Sequence, residues 1–280
     1  MKKIITISIL TIALLLTACS DVTRGEDRVL NVSPIPSNTD DIAEVGIFHG
    51  NRMTYPTLQH LLERADWGAN VKENFSADLV VIGEFIEETQ AGFRYQYDDY
   101  FKKDVVFDAH AYNQLLVTEV LKGKVKVGDT ITVMQRYAFD EERNMLLSFD
   151  EMTPMHKGDR WIYFLKYDNY ADAYESAGLV DGRYPIPNKD IMRTMEEFPK
   201  EARELNENYS ERNRKIWVES RDKAIEDIDI YSLGVFNKYD FNFVIYDQIL
   251  EHFQIESQDW VNPGRAYDAR LLELIEQQQN

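Results

Sequence analysis

The sequence predicts an α+β fold, a small antiparallel β-barrel over residues 76–187 with C-terminal helices packed on it. Two observations lead to this prediction. The middle of the chain holds short apolar or alternating segments separated by glycine-containing turns, as strands of a barrel do. The last third, residues 188–280, instead repeats its apolar residues at helical spacing. An aromatic content of 12% also favours a body rich in β-structure.

The strand segments differ in pattern. Leu79 to Ile82 is a continuous apolar run that meets Gly83, and a buried strand bent at a glycine is typical of small closed barrels. Phe93, Tyr95 and Tyr97 alternate with polar residues, which predicts a half-buried strand. Further strand signals lie at 115–121, 130–136 and 160–167.

The helical segments carry narrow apolar stripes. Asn242 is placed to cap a helix over Phe243 to Phe253, and a last short helix follows around Leu271. In the N-terminal segment 42–75, Leu58, Leu61 and Leu62 have helical spacing, so we expect a helical lead-in. Because narrow stripes need a partner surface, we expect the C-terminal helices to pack on the barrel.

Four segments of the middle region resemble the netrin/TIMP-like modules, which are five-stranded OB-type barrels. The segments are Ala77 to Gly83, Val117 to Gly123, Gly128 to Val133 and Gly158 to Leu165. The resemblance implies an OB-type barrel. The cysteines with which some of these modules inhibit metalloproteases do not occur in this chain, so protease inhibition does not carry over. The usual ligands of OB-type barrels are oligonucleotides or sugars.

The chain begins with a segment that concerns targeting. Lys2 and Lys3 precede an uncharged apolar stretch, Ile4 to Ala18, which is short of the roughly 20 residues of a spanning helix. It reads as a signal peptide and ends in Leu16-Thr17-Ala18-Cys19. The alternative is an ordinary secretory signal with a chance cysteine. Such a signal prefers a small-x-small pattern at its end, whereas this chain has the large Leu16 at the first of these small positions.

Leu16-Thr17-Ala18-Cys19 resembles the lipobox of bacterial lipoproteins. The resemblance implies cleavage after residue 18, a diacylglycerol thioether on Cys19, and a further acyl chain such as palmitate on the new amino terminus. It therefore implies an extracytoplasmic protein anchored by lipid to a bacterial membrane. No other cofactor is expected.

Residues 19–41 are predicted to form the lipidated N-terminus and a flexible tether. The stretch is polar, contains Pro34 and Pro36, and has few large apolar side chains to bury. A flexible coil of about 20 residues spans roughly 25 Å on average. The alternative is that residues 29–35 pack on the domain.

Charge limits the partners. The net charge is −18, and it becomes −20 once Lys2 and Lys3 are removed with the signal peptide. Such a body repels phosphate, so nucleic acid is not an expected partner. It also repels anionic lipid, so the expected contact with the bilayer is the lipid on Cys19. An envelope protein is the other expected partner.

Candidate sites rest on weaker patterns. Asp104, Asp108 and His110 could offer oxygen and imidazole ligands to a metal ion, with a solvated acidic loop as the alternative. Tyr95, Tyr97 and Tyr100 could form an aromatic binding face, with packing in the core or at a sheet edge as the alternative. The sequence contains none of the HExxH, Walker, G-x-S-x-G or CxxC motifs, so no catalytic residue is assigned.

Three functions remain open at this point. We expect a lipid-anchored binding or interaction module of the cell envelope, because no catalytic motif is present. The first alternative is an envelope hydrolase that assembles carboxylates with His110 or His156. The second is a metal-binding sensor or scavenger.

Overall fold

A computed structural model describes residues 34–48, 58–63, 76–98, 100, 102–149, 151–177, 182–197, 233–236 and 242–279. The described residues form nine strands and four α-helices. The strands are β1 Glu44–Phe48, β2 Leu79–Asp98, β3 Lys103–Lys122, β4 Thr130–Gln135, β5 Tyr137–Asp140, β6 Met145–Phe149, β7 Arg160–Asp168, β8 Ala173–Ser176 and β9 Arg183–Pro185. The helices are α1 Leu58–Leu62, α2 Lys189–Glu197, α3 Phe243–Phe253 and α4 Arg265–Gln279.

The strands form two mixed sheets. The larger has the order β2-β3-β4-β8-β7-β9, and β2 also pairs with β7. The smaller has the order β1-β6-β5. The chain is thus mostly β-structure with a few helices, in agreement with the α+β prediction. The expectation of a wholly antiparallel sheet was wrong, because β4–β8 and β1–β6 are parallel. Long stretches of chain separate the members of both pairs, which is what parallel pairing requires.

Strands β2 and β3 form one long hairpin of two 20-residue strands. The two predicted segments around Leu79 and Phe93 are therefore parts of one strand. Its register with β3 shifts at five points, and such irregularities bend a strand. The first six residues of β2 pair with β7, while Ala91 and Phe93 in the second half pack against β5 and β6 of the smaller sheet.

Both faces of the β2–β7 pair are covered. Val80, Ile82 and Phe164 pack on α3, whereas Leu79, Val81 and Tyr163 pack toward β3 and β4. This double burial explains why the sequence of β2 begins with a continuous apolar run rather than an alternating one. Lys122 at the end of β3 joins α1 to the sheet, because its Nζ donates to the carbonyls of Leu62 and Ala77, both at 2.8 Å.

Helix α3 begins where the sequence predicts. Asn242 precedes it, and the Asn242 Oδ1 accepts a hydrogen bond of 3.1 Å from the Ile245 N–H. The helix ends at Phe253 and is followed by the C-cap Gln254, which has a left-handed φ of 55°. No helix among the described residues has the length and apolar content to cross a membrane.

Helix α4 covers the smaller sheet. Leu271 and Ile275 pack with Ile42, Val45 and Phe139, so this helix closes the core beneath β1. Strand β1 itself lies in the 42–75 segment, for which we predicted only helix. A strand of five residues with one parallel neighbour has little local signal of its own.

The last part of the predicted tether lies against the body. Ile35 packs beside both the α4 cluster and the cluster under β5, and the Tyr267 hydroxyl donates to the Pro36 carbonyl at 2.6 Å. Residues 39–41 form a 3₁₀ helix capped by Asn38. Residues 34–41 of the predicted tether thus form part of the packed body, whereas residues 19–33 lie outside the described residues, as does the signal peptide.

Candidate functional site

The side chains of strand β3 alternate between the buried inner face and the half-buried outer face of the larger sheet. Ala109, Ala111, Asn113, Leu115 and Val117 are fully buried, and the residues between them are half-buried. Side chains alternate along a strand, so the intervening residues share the outer face. With their neighbours on β4, β8 and β7 they form what we call the polar face. Its members are Asp108, His110, Tyr112, Gln114, Thr132, Met134, Arg136, Lys166, Asp168 and Glu175.

The register places these side chains in rows across four strands. Tyr112 pairs with Met134, Met134 with Glu175, and Glu175 with Lys166. In the next row Gln114 pairs with Thr132, and the Gln114 amide donates to the Thr132 hydroxyl at 2.9 Å. The rows give a continuous surface in which aromatic, amide and charged side chains alternate.

An ion-paired arginine is at the centre of the polar face. The Arg136 Nη1 donates to Asp108 Oδ1 at 2.7 Å, and its Nη2 lies 3.6 Å from Glu175 Oε2. Burial alone would raise the pKa of Asp108, but His110 and Arg136 lower it below its ordinary value by hydrogen bonds and charge. Burial raises the pKa of Glu175, and Arg136 offsets only part of that rise.

His110 lies on β3, opposite Gly92 of the neighbouring strand β2. Its Nδ1 is 3.8 Å from Asp108 Oδ2, and its ring meets Tyr112 edge-on with centroids 5.5 Å apart. A Cβ built on Gly92 would lie 3.1 Å from the His110 Nε2, so the glycine makes room for the imidazole. The ring is thus held between a glycine on β2 and a tyrosine on its own strand.

The structure brings two of the three predicted metal ligands together. Asp108 and His110 are neighbours on the polar face, but the Asp108 carboxylate is paired with Arg136. The side chain of Asp104 lies outside the described residues. Among the residues that the structure describes, no three histidine, cysteine or acidic side chains form a group that could hold a metal ion.

The predicted aromatic face is described only in part. The backbones of Tyr95 and Tyr97 belong to β2, but their side chains lie outside the described residues. Tyr100, in the turn after β2, is 88% exposed.

A second polar cluster is buried where α4 meets the body. We call it the polar junction, and it consists of Thr153, His156, Asp159, Arg183 and Asp268. The His156 Nε2 lies 3.4 Å from Asp268 Oδ1, and the Asp159 carboxylate accepts hydrogen bonds of 2.9 Å from the N–H groups of His156 and Gly264. These contacts join the turn before β7 to the start of α4.

Arg183 is the buried cation of the polar junction. It is 3% exposed, and its Nη2 donates to the carbonyls of Thr153 and Gly234 and to the Thr153 hydroxyl. Its guanidinium lies over the Trp161 ring, 4.7 Å from the centroid. Gly234 has a φ of 75°, and a Cβ there would come within 2.8 Å of Trp161. This close approach explains the glycine.

Burial controls the protonation of the polar junction. It raises the pKa of Asp268 and of Asp159 above their ordinary values, despite the hydrogen bonds that each carboxylate accepts. Burial alone would lower the pKa of His156, but Asp268 and Asp159 raise it. On β2, burial raises the pKa of Glu88 to about 7, and the charge of Glu88 acts on Tyr137 and Tyr267.

Sequence reasoning missed most of the polar junction. It named His156 as a possible site residue, but it did not single out Arg183 or Asp268. One signal was available for Asp268. It precedes Leu271 by three residues and Ile275 by seven, so an acidic residue occupies the apolar stripe of α4.

Two clefts lie away from both clusters. One, of about 540 Å³, runs between α1 and α3 and is lined by Leu58, Gln59, Leu62, Glu63, Gln248, Glu251 and His252. The other, of about 460 Å³, separates residues 34–43 from the β5–β6 turn and contains Asp40, Asp41 and Glu141.

Comparison with known proteins gives no relative. No protein-family model, curated protein or solved structure matches this chain.

Proposed function

We propose that this chain is a lipid-anchored binding module of a bacterial cell envelope, attached to the membrane through Cys19. The anchor rests on the lipobox-like segment Leu16-Thr17-Ala18-Cys19. In this proposal the lipid holds the protein at the membrane, and the residues before 34 connect it to the body. The body then binds a partner in the envelope.

We further propose that the body is an OB-type barrel. The strand pairings support this. They run from β2 to β3, β4, β8 and β7, and β7 pairs again with β2. OB-type barrels have five strands, the number in this cycle. Side chains from these strands, among them Val81, Val117 and Val133, pack together in one cluster as the interior of a barrel would.

The observation that carries the binding proposal is the polar face. Apart from the buried Met134 its side chains are half-buried, and several of them already hold one another in place by hydrogen bonds and ion pairs. Such a surface loses little side-chain entropy when a partner binds. Aromatic and charge-paired groups side by side also offer apolar contact and directional hydrogen bonds in one place.

The anchor is tested by Cys19→Ala in the full-length chain. We expect the variant to lose labelling by radioactive palmitate and to leave the membrane fraction or remain unprocessed. Membrane retention with normal cleavage would contradict the lipobox assignment.

The binding face is tested by crosslinking in intact envelopes. We expect Arg136→Glu to lose the crosslinked partner that the unaltered protein captures. Arg193→Glu is the matched control, since Arg193 is also ion-paired at the surface but lies on α2, 3.7 Å from Asp190. Equal crosslinking in both variants would remove the polar face from the proposal.

One observation favours a hydrolase as the second candidate. The polar junction pairs a histidine with buried carboxylates, an arrangement that catalytic sites also use. Hydrolysis of p-nitrophenyl acetate that is lost in His156→Gln would support this function. If the unaltered protein and His156→Gln both show only the uncatalysed rate of hydrolysis, the binding module remains the proposed function.

The metal-binding alternative has a direct test. A metal ion that binds the folded state raises the melting temperature. We expect no shift with excess Ca²⁺ or Zn²⁺ because Arg136 already pairs with Asp108, and a shift that Asp108→Asn abolishes would revive the alternative.

A further inference from the structure

Helix α4 is held to the body at both of its ends. At its start, Asp268 contacts His156, and Gly264 donates its N–H to Asp159. The preceding residues add two contacts on Arg160, since the Asn262 Oδ1 accepts from the Arg160 N–H at 2.8 Å and the Arg160 guanidinium lies 4.9 Å from the Trp260 ring centroid.

At its other end, α4 closes a sheet edge. With the Gln278 amide oriented to satisfy both groups, it accepts from the Val45 N–H and donates to the Val45 carbonyl, each at 3.2 Å. Val45 lies on β1, one of the two edge strands of the smaller sheet. The amide therefore substitutes for one residue of a neighbouring strand and covers an edge that could otherwise pair with another chain.

The contacts at the start of α4 are made by two buried carboxylates, Asp159 and Asp268, and by the partly exposed His156. His156 and Asp159 face the helix from the turn before β7, and Arg183 faces it from β9. Tyr267 and Asp268 belong to α4, and the charges of Glu88 on β2 and Asp41 act on Tyr267. A Cβ on Gly264 would lie 2.1 Å from the His156 ring, so the docked geometry leaves little freedom at this point.

We propose that the polar junction is a proton-linked latch that holds α4 over β1 most tightly in mildly acidic surroundings. As the surroundings become more alkaline, the latch weakens, the helix opens more often, and the edge of β1 becomes accessible. The device lies apart from the polar face and does not depend on the binding function proposed above.

The direction of the effect follows from proton linkage. Burial raises the pKa values of Asp159 and Asp268, and these two carboxylates raise the pKa of His156. Groups whose pKa is raised in the docked state bind more protons there. Their stabilising effect is complete below the undocked pKa and is lost as the pH rises through the docked pKa.

Hydrogen–deuterium exchange of the full chain tests the latch at pH 5.5 and pH 8.0, with exchange times corrected for the intrinsic rate. A difference of one pKa unit between the docked and undocked states changes the equilibrium roughly tenfold. We expect the protection of α4 and of the Val45 amide to fall by roughly tenfold to a hundredfold at pH 8.0. The β2–β7 core should keep its protection.

Two variants decide the origin of such a change. Asp268→Asn keeps the size of the side chain but removes its titration and the charge beside His156, and we expect it to reduce the loss of protection in α4 to less than about threefold. Asp190→Asn removes an exposed carboxylate from α2 and should behave like the unaltered protein. The proposal fails if α4 shows no pH response, if all strands respond equally, or if Asp268→Asn responds like the control.

Discussion

The polar face and the polar junction use the same three residue types in different surroundings. On the face, Asp108 contacts His110 and Arg136 at the surface of β3. In the junction, Asp268 contacts His156 beneath α4, and Arg183 binds backbone carbonyls nearby. The pKa of Asp108 is lowered by its partners, whereas burial raises the pKa of Asp268 even though it has a histidine partner.

The difference shows that burial determines what such a cluster does. Half-exposed ion pairs contribute little to stability and leave their side chains available for a ligand. Fully buried charges are costly unless every one of them is compensated, so each residue of the junction depends on the others. The face therefore suits recognition, and the junction suits the attachment of a helix.

The sharpest test of this contrast replaces the arginine of each cluster. Arg183→Met removes the hydrogen bonds to Thr153 and Gly234 and leaves Asp268 and Asp159 without their buried cation. We expect the free energy of unfolding in urea to fall by about 3–5 kcal/mol. Arg136→Met on the polar face should cost about 1 kcal/mol or less.

Equal costs for the two arginine variants would contradict the contrast. If Arg183→Met does not fold, chemical denaturation of Arg183→Lys supplies the comparison. That variant keeps the positive charge but loses the planar guanidinium group. Its free energy of unfolding should therefore lie between those of the unaltered protein and Arg183→Met.

The second test uses the glycine that each histidine packs against. In Gly264→Ala the new Cβ would lie 2.1 Å from the His156 ring, so the turn or α4 must shift. We expect a loss of about 1–3 kcal/mol, measured as a lower melting temperature. In Gly92→Ala the Cβ would lie 3.1 Å from the His110 Nε2, so a shift of a few tenths of an ångström in this partly exposed ring relieves the contact, and the loss should be below about 1 kcal/mol. A larger loss for Gly92→Ala would reverse the expected order.

Local sequence signals predicted the elements with their own patterns. The strand signals at 130–136 and 160–167 correspond to β4 and β7, and Asn242 caps α3 as predicted. The smaller sheet was not predicted. Its parallel pairing joins β1 to β6, about a hundred residues apart, and no turn residue or periodicity encodes a contact over that distance.

The same limit applies to the two clusters. Asp108 and His110 are two residues apart on one strand, so their proximity could be predicted from strand geometry. His156 and Asp268 are 112 residues apart, and Arg183 and Gly234 are 51 apart. These contacts depend on how α4 and the segment at 233–236 pack on the sheet, which the sequence pattern does not specify.

The third test compares acid titration of the two aspartates. The pKa of Asp108 is lowered in the folded protein, so its stabilisation is present above its ordinary value of 3.8 and is lost as the pH falls below it. The pKa of Asp268 is raised, so its contribution is lost as the pH rises instead. In urea titrations between pH 2 and 7, Asp108→Asn should remove up to about 1 kcal/mol of the decline at low pH. If Asp268→Asn does the same, the two aspartates do not titrate in opposite senses.

The smallest expected effect concerns His110. Its ring contacts Asp108 at 3.8 Å and Tyr112 edge-on, and it is partly exposed. We therefore expect His110→Gln to change the free energy of unfolding by less than about 0.5 kcal/mol, as for other weak surface contacts. A residue that contributes so little to stability is free to serve recognition, so the same variant should weaken the crosslink to the envelope partner. A loss above about 2 kcal/mol with unchanged crosslinking would mean that His110 has the structural role of His156, and the functional contrast between face and junction would then be lost.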